Sequence, residues 1–210
     1  VNRLRVVTIV AGLLTAVLLS AACSSTPASR FYALSSVNAT DHLKHRQVKD
    51  RGIIAIGPIR IPEYLDRPQI VTRSGNNELV LAEFHRWGGS LDNDLKRIIP
   101  DNIAQKIDSA GYLVVHWPVP GNGSLPVQYR VVIDILQFEG TSGGTVTLKC
   151  QWGILGDHEK TRKAVRVSLI TEPVQGPEYE HLVAAMSNAI ARLSSEIADV
   201  ILTLPMPAEP

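Results

Sequence analysis

One stripe of apolar residues near the C-terminus constrains the chain more than any other feature. Leu182, Met186, Ile190, Leu193, Ile197, Ile201 and Leu204 recur at three- and four-residue spacing. That period predicts a closing helix from about Glu178 to Leu204 with one apolar face. Such a face has to be buried against another element. The preceding segments supply it: Tyr129 to Phe138, Thr145 to Ile154 and Lys163 to Thr171 read as strands. Gly140 to Gly144 and Gly156 to Lys160 lie between them as turns, which describes an antiparallel meander. Within it, Val146, Leu148, Cys150, Trp152 and Ile154 alternate with polar or small residues, so Cys150 is expected in the core rather than in chemistry.

Upstream, Phe31 to Leu34 is a short strand candidate, and Ile53 to Ile61 is strand-like but carries Gly57 and Pro58. A proline gives up a ladder donor, so that strand is expected to bulge or to lie at an edge. Gln69 to Arg73 and Glu78 to Trp87 flank Ser-Gly-Asn-Asn, a hairpin signal. A first helix is marked by Leu91, Leu95, Ile98, Ile99, Ile103 and Ile107 on one face. Ser90 is placed as its N-cap, with Asp92 and Asp94 opposing the positive end of the helix dipole. Pro100 is expected to kink or break it. Gly111 ends it, and Tyr112 to Trp117 is another strand. Residues 37–51 and 118–126 read as loops. Strands with two amphipathic helices predict an α+β fold: a two-layer sandwich with a largely antiparallel sheet and both helices on one face. A single domain is expected over 31–204, followed by a proline-rich tail at 205–210.

The N-terminus belongs to a different kind of segment. Arg3 and Arg5 precede 14 residues, Val6 to Leu19, that are apolar apart from Gly12 and two threonines. A membrane-spanning helix needs about 20 apolar residues, so this run fits the apolar region of a signal peptide over 1–22. Leu19-Ser20-Ala21-Ala22-Cys23 resembles the lipobox of bacterial lipoproteins, in which the cysteine is acylated and becomes the new N-terminus, although Ser20 stands where leucine is usual. Residues 23–30 are then a lipidated cysteine and a flexible tether. Ser24 in place of aspartate resembles the sorting signal for the outer membrane. Loss of Arg3 and Arg5 with the signal leaves 19 basic and 20 acidic side chains, a net charge of about −1. That balance argues against a nucleic-acid binder.

Catalytic patterns are missing. The chain has no Gly-x-Ser-x-Gly elbow, phosphate loop or His-Glu-x-x-His. Asp92-Asn93-Asp94 reads as helix-start acids rather than metal ligands. His42 and His45 lack partners that would complete a zinc set, and the other four histidines are scattered singly. No enzyme activity, cofactor or metal is expected.

Four segments then carry a resemblance. Ile59-Arg60-Ile61-Pro62-Glu63-Tyr64-Leu65 and Trp87-Gly88-Gly89-Ser90-Leu91-Asp92-Asn93-Asp94-Leu95 are the first two. Phe138-Glu139-Gly140 with Gly144, Val146 and Trp152 is the third, and Tyr179-Glu180 with Leu182-Val183 through Leu204-Pro205 is the fourth. In this order they resemble the ABC-transport auxiliary lipoproteins, the Pqi-type family that accompanies MCE lipid transporters. Pro100 and the 118–126 loop depart from the family pattern. The resemblance implies an outer-membrane lipoprotein whose partner is an MCE-domain protein spanning the periplasm, with docking in place of catalysis. A ring-like homo-oligomer would suit the end of a tunnel. Pro62, Tyr64 and Leu65 form either a partner contact or a proline turn folded into the core, and Trp87 either packs at the helix start or meets a partner. Two other classes stay open: an envelope scaffold binding peptidoglycan or an outer-membrane protein, and a lipid carrier with its own cavity.

Overall fold

The computed structural model describes residues 2–3, 5–8, 27–36, 52–118, 127–156 and 161–205. Cys23, the loops at 37–51 and 119–126, the turn at 157–160 and the tail at 206–210 lie outside the described residues. After a helical stretch at 2–3 and 5–8, the order is β1 (Arg30–Tyr32), β2 (Ile53–Arg60), a 3-10 turn (Glu63–Leu65), β3 (Gln69–Ser74) and β4 (Glu78–Trp87). Helix α1 (Leu91–Lys106), a second 3-10 turn (Asp108–Ala110) and β5 (Leu113–His116) come next. β6 (Val127–Gly140), β7 (Thr145–Gly156), β8 (Thr161–Pro173) and α2 (Tyr179–Thr203) complete the chain.

The strands form one sheet built around β6. On one side β6 pairs antiparallel with β7, and β7 with β8, giving the expected meander. On the other side β6 serves two strands in turn. β2 runs parallel to its first part, from Val127 to Asp134, and β3 meets it at Gly140. β2 continues to β5, while β3 continues to β4 and β1. The sheet therefore forks.

This corrects the expected largely antiparallel sheet of a two-layer sandwich. The sheet is mixed: β1/β4, β2/β5, β2/β6 and β3/β6 are parallel, and β3/β4, β6/β7 and β7/β8 antiparallel. The reason lies in the connections. Short turns can only join antiparallel neighbours, whereas β2 reaches β5 through the β3–β4 hairpin and α1, a crossover long enough for parallel pairing. β1, likewise, meets β4 across a long stretch of chain.

Helix α1 starts where the sequence places it. Ser90 is extended, and its Oγ accepts a hydrogen bond from the Asn93 amide at 3.1 Å. Of the kink or break expected at Pro100, the break does not occur: the helix runs on from Leu91 to Lys106. Pro100 is buried among the apolar residues of that face, while Lys96, whose carbonyl lost its helical donor, is exposed. Tertiary burial outweighs the local defect.

Helix α2 buries its stripe from Leu182 to Ile201, with Leu182, Ile190, Leu193, Ile197 and Ile201 inaccessible to solvent, while Leu204, just past its end, is half-buried. Ala185, Ala189 and Ala198 are buried as well, and Ser187 and Ser194 return their hydroxyls to the carbonyls of Val183 and Ile190. The helix packs on α1 and on β6, β7 and β8. A buried polar chain pins it to the sheet: Trp152 Nε1 donates to Ser168 Oγ at 2.9 Å, and Ser168 donates to Glu196 of α2 at 2.6 Å. Beside this chain, burial and the Glu196 charge push the Cys150 thiol up to about 12, outweighing an opposing backbone hydrogen bond from Ser168, so it stays a neutral core group.

The Ile190→Ala substitution should cost about 2–5 kcal/mol of unfolding free energy in a urea titration. Val167→Ala, on the exposed face of β8, should stay within about 0.5 kcal/mol of the parent.

Candidate functional site

Where the sheet forks, the chain must leave the β2 register and re-enter as β3. Residues 61–68 make this corner. Pro62 is extended, and its carbonyl accepts the Leu65 amide at 2.9 Å, which closes the 3-10 turn. The turn sends Leu65 into the core, where it is 2% exposed. Tyr64 is half-buried, and its hydroxyl donates to Glu139 Oε2 at 2.7 Å.

Glu139 is the hub of this region. At 1% exposure its carboxylate accepts Arg73 Nε and a second Arg73 nitrogen, each at 2.6 Å, and Gln137 Nε2 at 2.9 Å. The Phe138 amide adds a further donor at 3.1 Å. A buried carboxylate is tolerated only when paired and hydrogen-bonded; here Arg73 pairs the charge through two nitrogens on Oε1, and Tyr64 and the Phe138 amide satisfy Oε2. Burial and the neighbouring carboxylate raise the Tyr64 pKa well above the ordinary phenol range. Next to the hub, Gly140 has no room for a side chain, since a Cβ would come within 2.9 Å of the Thr145 carbonyl and the Val146 backbone.

Trp87, 4% exposed, joins the same region through its backbone. Its amide donates to the Pro68 carbonyl at 2.7 Å, and the Gly88 amide to the Tyr32 carbonyl at 2.7 Å. The structure thus brings Pro62, Tyr64, Leu65 and Trp87 into one corner, with Leu65 and Trp87 turned inward. The surface of the corner is left to Pro62, Glu63 and the outer part of Tyr64. Asp92 and Asp94 act as helix-start acids: Asp92 pairs with Lys96 and Asp94 with Arg97, and Asp94 also accepts the Leu34 amide at 2.9 Å. His42 and His45 lie outside the described residues.

Two features were not legible in the sequence. Tyr32 is hydrogen-bonded to His85 Nδ1 at 2.8 Å, and His85 stacks on Tyr179 at 3.9 Å, tying β1 and β4 to the start of α2. These residues are far apart in the chain and leave no local signal. The second is on β8. Its more apolar face, Val165, Val167 and Leu169, points to solvent at 49, 63 and 67% exposure, while Ser168 and Ile170 face inward. Hydrophobic alternation identified the strand but not which face would be covered. A solvent-facing apolar row on an edge strand marks an interaction surface.

With this geometry in view, the comparisons decide the family. The model of the ABC-type transport auxiliary lipoprotein component matches residues 32–198. The chain belongs to this family. It is 22% identical over 154 residues to the intermembrane transport lipoprotein PqiC of Escherichia coli (strain K12), covering 73% of this chain and 76% of the relative. The Shigella flexneri protein of that name gives the same figures. Among solved structures, an uncharacterized protein superposes with a TM-score of 0.68 at 18% identity, covering 83% of this chain and 99% of the other. A Xanthomonas campestris protein reaches 0.61 at 16% identity, with 81% and 93% covered. These two share the fold.

Removing Arg73 would strand the Glu139 charge in the core, so Arg73→Ala should cost about 3–5 kcal/mol in denaturant unfolding. Tyr64 holds its proton to higher pH when folded than when unfolded, so its contribution is complete below its ordinary pKa of 10.0 and declines as pH rises above that value. Thermal melts should therefore show an alkaline fall in stability that is shallower in Tyr64→Phe.

Proposed function

We propose that this chain is a membrane-anchored auxiliary component of an intermembrane lipid transport system. Cys23 carries the acyl anchor on the periplasmic face of the outer membrane, and the folded domain docks the distal end of an MCE protein. The observation that carries this reading is positional. The family match begins at Tyr32, nine residues after a lipobox cysteine, so anchor, short tether and domain follow one another without other sequence between them. A multiply acylated cysteine holds a protein stably where a single chain would not. The relatives in Escherichia coli and Shigella flexneri are named as intermembrane transport lipoproteins, which supports transport as the context.

In this reading the chain binds and positions. Two surfaces are available for a protein partner: the corner at Pro62, Glu63 and Tyr64, and the apolar row on β8. Strand β8 lies at the sheet edge opposite β1, the strand that follows the tether. An anchor at one edge thus leaves the other free to meet a complex that approaches from the inner membrane. A ring of such domains would present these rows repeatedly.

The test is membrane fractionation with photo-crosslinkers placed at Val167 and at Glu63, run beside a Cys23→Ala variant. The wild type should collect in the outer membrane and capture an MCE protein from at least one position, and the variant should lose its membrane location. If the variant fractionates like the wild type and neither position captures an MCE protein, the anchor and the docking role both fall.

A further inference from the structure

We infer that the β4 side of the β3–β4 hairpin is a second membrane contact, which meets the lipid bilayer beside the acyl anchor and fixes the tilt of the domain. This rests on the Cys23 anchor of the proposed function and adds a surface to it.

The first observation is exposure. On β4, Leu79, Val80 and Leu81 are 37, 41 and 44% exposed. Leu79 and Leu81 point to one side of the strand and Val80 to the other, so both faces of this segment are uncovered. Core strands elsewhere in the sheet, such as β2 and β7, bury at least one face. Of the paired residues of β3, Val71 and Thr72 are buried, and Arg73, opposite Leu79, is half-buried with its charge committed to Glu139. The apolar surface at this edge therefore comes from β4.

The second observation is direction. Strand β1 pairs parallel with β4, with Arg30 opposite His85 and Tyr32 opposite Trp87. It covers β4 only at this far end, leaving the edge from Glu78 to Phe84 uncovered by any described strand. Followed backwards from Arg30, the register of β1 points towards Leu79. Arg30 stands seven positions after Cys23, and His85 seven positions after Glu78. Both intervals reach about 24 Å when extended, at about 3.4 Å per residue. The tether is thus long enough to bring the acylated cysteine level with the Leu79–Leu81 end of the hairpin.

The charges nearby say which attraction operates. Glu78 and Glu83 on β4 are offset by Arg86 and by Arg30 on β1. With no cationic excess, the contact is apolar and does not depend on anionic lipid or on salt. One flexible anchor would let the domain rotate freely over the bilayer. A second contact at the same edge removes that freedom and directs β8 away from the membrane.

The full lipidated chain suits a fluorescence test. Cys23 is acylated and Cys150 is buried, so Val80→Cys and Val167→Cys each introduce one reactive thiol. Both variants are labelled with nitrobenzoxadiazole and reconstituted into vesicles of phosphatidylethanolamine and phosphatidylglycerol. The label at position 80 should shift to the blue and brighten on reconstitution, equally in high salt, while the label at 167 keeps its emission in water. If the protein floats with the vesicles but the label at 80 does not respond, the hairpin contact is overturned and the anchor stands. A response at 167 as well as at 80 overturns the assignment of one edge. Failure to float overturns anchor and contact together.

Discussion

Strand β6 has to share one edge between β2 and β3, and the fold depends on how that exchange is made. A strand that leaves a ladder exposes its own hydrogen-bonding groups and those of its neighbour, and the gap has to be closed. Here the Pro62–Leu65 turn carries the chain from β2 to β3, and Glu139 holds the turn, β6 and β3 together through Tyr64 and Arg73. A charged group at the centre of such a joint is costly to bury. It also requires one geometry: both carboxylate oxygens are engaged, and a shift of either strand would leave the charge unpaired. The Ile59–Leu65 segment, one of the four that resemble the family, is therefore first of all the joint of the sheet, and its tyrosine is committed to the hub.

The fork arranges the outer surfaces. Because β3, β4 and β1 extend from one side of β6 and β7 and β8 from the other, the strand that follows the tether and the strand with the exposed apolar row lie at opposite edges. Helix α2 meets the inward residues of the meander, with Trp152, Ser168 and Glu196 setting its register on β7 and β8, while α1 packs on β2, β5 and α2. The topology thus separates two surfaces, the edge near the tether and the exposed face of β8.

Much of the architecture could be read directly. The Ser90 cap, the α1 and α2 stripes, the β3–β4 hairpin and the three strands of the meander all lie where spacing and turn residues place them. The misreadings have physical causes. Pro100 is a local helix breaker by propensity, but the buried face around it keeps the helix continuous. Parallel pairing of β1 with β4 and of β2 with β5 and β6 involves partners separated by long connections, so no turn signal announces it. The role of Glu139 was hidden for the same reason, because Tyr64 and Arg73 are 75 and 66 residues away.

By itself the sequence determined what is local: the period of each helix and strand, the caps and the turns. These depend on residues a few positions apart, where backbone geometry dictates the pattern. Only the tertiary structure decided which strands share β6, what holds the fork together and which side of β8 is covered. For β8 the local pattern points the wrong way, since Val165, Val167 and Leu169 are more apolar than the face that is buried. Ser168 faces inward because Trp152 and Glu196 await it there, and a strand cannot turn one residue inward without turning its neighbours out.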